Sequence, residues 1–327
     1  RCFLCLYESG RFFFPRAFEK QKPVYKWRFI ENLTGFKTDY ERKGRDRKVN
    51  VYQKIKQIIS EADGVLIGAS NGLSIAEGYH LFADDAWFRE RMGDFREKYG
   101  IYCILQGMAV SYSSEEERWA YFSRIIKEKC LQDEPTQIMK DMYELVKEKD
   151  YFVVTSNGED HFIPAGFEEE RVFEMEGKLT EMRCTKGCCD EVYPDREAVL
   201  RMAEAETDGR VPERLLPRCP KCGGSMEVNY GEYSSFQGKK NWQEKAARYQ
   251  GFVNRMRGKK LVILEFGVGW RNQMIKMPFM QLTAAEPHAK YITFNKGEIY
   301  IPDGIQGKSI GVDQDIAAAL REIVKAG

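Results

Sequence analysis

The chain has 327 residues, 43% of them hydrophobic, 13% aromatic and 31% charged, with 51 Lys and Arg against 50 Asp and Glu. A net charge of +1 leaves no excess of cations to neutralise phosphates, which excludes a general nucleic-acid binder. No stretch approaches the roughly 18 uninterrupted apolar residues of a membrane span, and the length calls for two lobes or one domain with an insertion.

The opening RCFLCLYESGRFFF begins with Arg rather than Met, so it reads as an irregular or trimmed start, and Glu8, Arg11 and Arg16 break its apolar character. With no small-residue cleavage pattern behind it, no secretory signal and a cytoplasmic chain are expected. Residues 1–47 read as an N-terminal extension without clean periodicity. From Val51, the positions Val51, Ile55, Ile58 and Ile59 recur at helical spacing, and Gly64-Val65-Leu66-Ile67 follows as a short buried strand ending in Gly68. The small residues of ASNGLSIAEG then form a turn that opens a helix. Stretches 84–99, 114–130 and 134–149 have helical spacing, the last two with start signals at Ser113-Ser114 and Asp133-Glu134-Pro135. Further strands are expected at 151–155, 261–266 and 291–294, and a closing helix with Ile316, Leu320 and Ile323 on its apolar face.

Strands alternating with helices predict an α/β fold with a doubly wound, parallel, Rossmann-like sheet and ligand sites at the carboxyl ends of its strands. Residues 184–230 break that alternation with Cys, Gly and Pro. The expected division is an α/β domain over 48–178 and 231–327, a helical insertion over about 79–149, and a small lobe over 179–230.

The nine cysteines are odd in number, and in a reducing compartment their close pairing points to metal rather than disulfides. Cys184-x3-Cys188 and Cys219-Pro-Lys-Cys222-Gly-Gly read as a zinc ribbon: four thiolates fill a tetrahedral shell, so the zinc is structural and holds a lobe too small to fold by packing alone. Cys188 and Cys189 are adjacent and either is a possible ligand, with Cys188 preferred. Cys2 and Cys5 lack a partner pair and read as incidental.

Two polar turns follow buried strands. Gly68, Ala69, Ser70, Gly72 and Ser74 build one whose small residues let backbone amides approach a pyrophosphate, and Thr155-Ser156-Asn157-Gly158-Glu159-Asp160 builds the other on the same sheet edge. Together with the four cysteines and Gly267-Val268-Gly269, these stretches resemble the sirtuin family: the GAS-x-G-x-S turn is similar to its phosphate loop, and TSN-x-x-D to its TQN-x-D motif. Within that family the chain most resembles the macrodomain-linked, class M sirtuins, in GASNGLSIAEG, DFREKYG, EEERWAYFSR, RCTKGC, CPKCGGSMEVN and LEFGVG.

The resemblance implies NAD as co-substrate, bound by the first turn and by Gly267, Val268 and Gly269, with Asn295 and Asp315 at the adenosine half. It implies that Asn157 positions the nicotinamide ribose or the attacking group and that Asp160 supports the nicotinamide end. It implies a mono-ADP-ribosyltransferase acting on a protein acceptor, with a lipoylated carrier protein as one candidate and a macrodomain protein as a partner. Lysine deacylation, NAD hydrolysis and binding without catalysis are the alternatives. Where ordinary sirtuins place a catalytic histidine before a glycine, this chain has Glu176-Gly177, whose carboxylate can accept a proton once burial raises its pKa. Gly231 stands where class M members carry Arg. Of the three histidines, His161 alone follows the cleft motif, while His80 and His288 read as surface or packing residues. Trp87, Trp119 and Trp242 read as core.

Overall fold

The computed structural model describes residues 51–326, so the N-terminal extension, Cys2 and Cys5 lie outside the described residues. Helix α1 (51–60) leads into strand β1 (Gly64–Ala69), whose six residues are all buried. The short helices α2 (Asn71–Ala76), α3 (Ala86–Arg91), α4 (Gly93–Tyr99) and α5 (Ile104–Ala109) follow. Helix α6 (Glu115–Ile125) runs into a π turn over Ile126–Cys130. After α7 (Gln137–Val146) come strands β2 (Asp150–Thr155), β3 (Val172–Glu174), β4 (Gly177–Cys184) and β5 (Val192–Pro194), helix α8 (Arg196–Ala205) and strand β6 (Met226–Tyr230). Helix α9 (Lys240–Arg255), β7 (Leu261–Phe266), α10 (Gln273–Ala285), β8 (Lys290–Phe294), β9 (Ser309–Val312) and α11 (Ile316–Lys325) complete the described chain. None of these helices is long and apolar enough to cross a membrane.

The main sheet has the order β3-β2-β1-β7-β8-β9, with every pair parallel. This is the doubly wound order, and it explains the continuous apolar runs, because a parallel sheet is covered on both faces. Val65, Ile67, Val153 and Leu264 pack one way, against α1, α7 and α11. Leu66, Phe152, Val154 and Ile263 pack the other way, against α9 and α10. Strands β3 and β9 are three and four residues long, too short to carry a period, and they exist by pairing at the sheet's edges.

The small lobe is built differently from the sequence expectation. Its three-stranded antiparallel sheet, β5-β4-β6, begins at Gly177, and its apolar side chains share one core with the helical segment. Trp119, Tyr121 and Ile125 pack with Leu179, Val199, Met202 and Val228. The cysteine lobe therefore draws on hydrophobic burial from α6 and α8 as well as on its sulfurs. Helix α7 belongs to the main domain, since Ile138, Met139, Met142 and Val146 lie in the same core as Val65 and Ile67. Its N-cap is Thr136, whose hydroxyl accepts from Met139 N–H at 3.4 Å. Helix α6 is capped as the sequence suggests, by Ser114 accepting from Glu117 N–H at 3.3 Å.

Candidate active site

The strand order reverses between β1 and β7, which opens a crevice at their carboxyl ends. There the turns after both strands meet backbone to backbone. Gly72 N–H donates to the Gly267 carbonyl at 3.0 Å, and a Cβ on Gly72 would lie 2.5 Å from Gly267 Cα. Gly267 has φ +61, and its own Cβ would lie 2.3 Å from the Gly72 carbonyl carbon. Both glycines are thus required by contact with each other. Gly72→Ala is expected to destabilise the chain by about 1–3 kcal/mol through overpacking and to raise the KM for the nucleotide. Gly231→Ala, with nothing within 4 Å of the added Cβ, is the neutral control in thermal unfolding.

A polar floor ties the turns after β1, β2 and β7 together. Asn272, the N-cap of α10, donates through Nδ2 to Ser70 Oγ at 3.1 Å and to Ser156 Oγ at 2.9 Å. Asn157 Nδ2 donates to the Ser70 carbonyl at 3.2 Å, and its backbone N–H to Thr155 Oγ1 at 3.0 Å. Asn157 Oδ1 and Asn272 Oδ1 are buried and have no hydrogen-bond partner among the described residues. A buried acceptor without a donor is costly, so each is suited to a ligand hydroxyl or amide. Asn272 was absent from the sequence reading. Its one sequence signal was an Asn at a helix start shortly after a glycine motif.

The carboxylates after β2 part company. Glu159 is 3% exposed and takes a hydrogen bond from the Ser74 hydroxyl. Asp160, with φ +60, accepts from Thr180 Oγ1 at 2.8 Å and faces Lys178 Nζ at 3.5 Å. Burial raises the Asp160 carboxyl above its ordinary value, and Lys178 opposes that rise. Both residues line a narrow cavity with Asn157, His161 and Glu174. Glu159 was not singled out from the sequence, although it and not Asp160 stands two residues after Asn157, the spacing of the TQN-x-D motif.

Glu176 follows β3 on the same rim, with its carbonyl accepting from Gly231 N–H at 3.1 Å. Burial, then the charge of Glu232, pushes its carboxyl up to about 7. Tyr230 packs its ring over Gly158, so β6 brings the Glu176 side of the cleft against the Asn157 turn. His161 has both ring nitrogens engaged, Nδ1 with Glu77 at 3.2 Å and Nε2 with the Lys129 carbonyl at 2.6 Å.

Beyond the glycine motif, Gly267 N–H donates to the Phe294 carbonyl at 2.9 Å, and Val268 is buried. Asn295 follows β8, and its Nδ2 donates to the Glu298 carbonyl at 3.2 Å. Asp315 caps α11, accepting from Ala318 N–H at 2.9 Å, so its carboxylate has a structural partner. Trp270 and Tyr300 stand exposed beside Gly269, with ring centroids 4.5 Å apart.

In the small lobe, the sulfurs of Cys184, Cys188, Cys219 and Cys222 all lie within 4.8 Å of one another. Four thiolates around one zinc at about 2.3 Å have that spacing, and Cys189 falls outside the group. Backbone N–H groups of Cys188 and Lys186 point at the Cys184 sulfur and favour its thiolate form. The residues fit a closed structural zinc, remote in role from the cleft.

No protein-family model matches the chain. It is 30% identical over 277 residues to a protein ADP-ribosyltransferase of Staphylococcus aureus, a match covering 84% of this chain and 87% of that relative. It is 28% identical over 278 residues to a probable bifunctional ADP-ribose hydrolase/ADP-ribosyltransferase of Fusarium oxysporum f. sp. cubense, covering 81% of this chain and 46% of that longer relative. In fold it is similar to a mutant Sir2 homologue in complex with ADP-ribose (TM-score 0.53, 16% identity, 84% of this chain and 95% of that one). It is likewise similar to a Sir2 homologue in complex with NAD (TM-score 0.52, 16% identity, 84% and 92%).

Proposed function

The chain belongs to the sirtuin family, and on that premise we propose that it is an NAD-dependent protein mono-ADP-ribosyltransferase, which breaks the bond between nicotinamide and ribose and passes ADP-ribose to a protein acceptor. One observation carries the choice of transfer over lysine deacylation. The one histidine at the cleft has both nitrogens occupied by acceptors, so it is no free base, while a carboxyl raised to about 7 follows β3 at Glu176. The Staphylococcus aureus relative, named a protein ADP-ribosyltransferase, supports the same reaction.

In this reading the turn of Gly68, Ala69, Ser70, Gly72 and Ser74 and that of Gly267, Val268 and Gly269 hold the pyrophosphate, with Asn295 and Asp315 toward the adenosine. Asn157 Nδ2 is committed to Ser70, which leaves Oδ1 to accept a ribose hydroxyl and orient the sugar. As nicotinamide leaves, positive charge develops on the anomeric carbon, and the negative charge of Asp160 on this rim stabilises it. The acceptor's nucleophile then bonds to that carbon, and its proton passes to Glu176. Asp160, held by Thr180 and Lys178, supports the nicotinamide end. Zinc, held by Cys184, Cys188, Cys219 and Cys222, supplies structural bonds only.

We put forward a lipoylated carrier protein as the acceptor, on the resemblance to class M sirtuins, and a macrodomain protein as the partner that removes the modification. The Fusarium relative, named for ADP-ribose hydrolysis and transfer together, supports that pairing. The test offers labelled NAD with a lipoylated carrier and, separately, with an acetyl-lysine peptide. Label on the carrier is the expected result. Turnover of the peptide with an unlabelled carrier overturns transfer.

Glu176 must be ionised to accept a proton, so transfer is expected to rise with pH through about 7. Glu176→Gln should lower kcat by about 10²–10⁴-fold, flatten that acidic limb and leave nucleotide affinity near wild type.

A further inference from the structure

One charged cluster is not used by the reaction described above. Behind Asn157, an oxygen each from Glu77 and Glu159 and a ring nitrogen of His161 all lie within 4.8 Å of one another. The side chains of His161 and Glu77 are 10% and 2% exposed, and Glu159 is 3% exposed. Both contacts of the imidazole are with oxygens that cannot donate: the Glu77 carboxylate at Nδ1 and the Lys129 carbonyl at Nε2. A neutral imidazole carries one N–H, so one of the two contacts would set lone pair against lone pair. A cation at Nδ1 removes that conflict, and it is either a proton or a metal ion.

The geometry favours the proton. Thr136 Oγ1 already donates to Glu77 Oε1 at 2.6 Å, and the Ser74 hydroxyl already donates to Glu159 Oε1. Each carboxylate is thus oriented by a hydroxyl, and the 3.2 Å separation of Glu77 and Nδ1 is within hydrogen-bond reach of an N–H on that nitrogen. The Lys129 ammonium is no substitute counter-ion, because it lies over the Trp87 ring at 4.2 Å. The Lys129 carbonyl that receives Nε2–H belongs to the π turn after α6.

We propose that His161 is a standing imidazolium that balances Glu77 and Glu159 and locks the helical segment onto the turn that carries Asn157. It is a positioning residue, acting through Glu159 and Asn157. Its catalytic consequence rests on the transferase reading, whereas its charge does not. The titratable and charged groups that face it are Glu77 beyond α2, Glu159 and Asp160 on its own turn, Lys129 and Cys130 on the π turn, and Glu134 before α7. Burial pulls its pKa down, but the hydrogen bond and charge of Glu77, then Glu159 and the Lys129 carbonyl, hold it up at about 9. Because the folded value exceeds the ordinary 6.5, its contribution to stability is complete below 6.5 and is lost as pH rises through about 9.

The experiment combines imidazole ¹⁵N NMR at pH 7.5 with thermal unfolding, zinc content and nicotinamide release across pH, on the full chain and on Glu77→Gln and His161→Gln. The expected wild type has doubly protonated His161, one zinc per chain, and a Tm that declines toward pH 9. Glu77→Gln should shift the decline in Tm and the alkaline limb of kcat to lower pH, and His161→Gln should abolish the first and lower kcat by about 10²-fold with little change in KM. A neutral His161 at pH 7.5, or a second metal ion lost in Glu77→Gln, overturns the charge assignment. Imidazolium with unaltered kcat in both variants overturns the positioning role. A wild type that carries imidazolium but releases no nicotinamide overturns the transferase reading and supports the charge assignment.

Discussion

Asn157→Ala is expected to lower nicotinamide release by about 10²–10³-fold in a chain that remains folded. Fold survives because the side chain makes a single hydrogen bond, from Nδ2 to the Ser70 carbonyl, worth about 1 kcal/mol. Its Oδ1 is already buried without a partner, so truncation also removes an unsatisfied acceptor. Function is expected to fail because, in the proposed reaction, that same oxygen orients the ribose. Asn157→Asp is more damaging to the turn, since it sets a carboxylate oxygen against the Ser70 carbonyl. Single-turnover nicotinamide release and calorimetric nucleotide binding check the variants together. Near wild-type release by Asn157→Ala would remove Asn157 from the reaction.

Removing zinc is expected to open the small lobe and leave the parallel sheet intact. Structural zinc contributes on the order of 10 kcal/mol in small zinc-finger domains, where the metal replaces a core. Here Cys184 and Cys219 are buried among Val199, Met202 and Met226 in a core shared with α6, so part of the lobe's stability is hydrophobic. Chelation or Cys219→Ser should therefore cost several kcal/mol, or more than about 10 °C in Tm. Hydrogen exchange should rise over 177–230 and along α6, with β1, β2 and β7 still protected. Zinc content should fall from one ion per chain to none. Protein purified without zinc at full thermal stability would contradict the structural role of the four thiolates.

Strands β1, β2, β7 and β8 were legible in the sequence because burial on both faces writes a continuous apolar run. The four zinc ligands were legible because thiolates that share an ion must come in close pairs, and the structure groups Cys188 rather than Cys189 with the other three. Strands β3 and β9 were not, since three or four residues at a sheet edge carry no period. Helix α7 looked like one of the helical insertion, because amphipathic spacing does not say which core an apolar stripe meets.

Composition and spacing within a few residues point by themselves to the class of fold, the glycine turns, the polar turn at Asn157 and the paired cysteines, whereas Glu176 stands out only through the resemblance to sirtuins. Tertiary structure alone decided which of Glu159 and Asp160 meets Ser74, through a backbone with φ +60 at Asp160. It alone recruited Asn272 to Ser70 across 202 residues, and brought Glu77 and Lys129 to His161 across 84 and 32 residues. Periodicity is a local property of the chain, whereas the protonation and aim of a buried side chain depend on partners that only folding brings within hydrogen-bond reach.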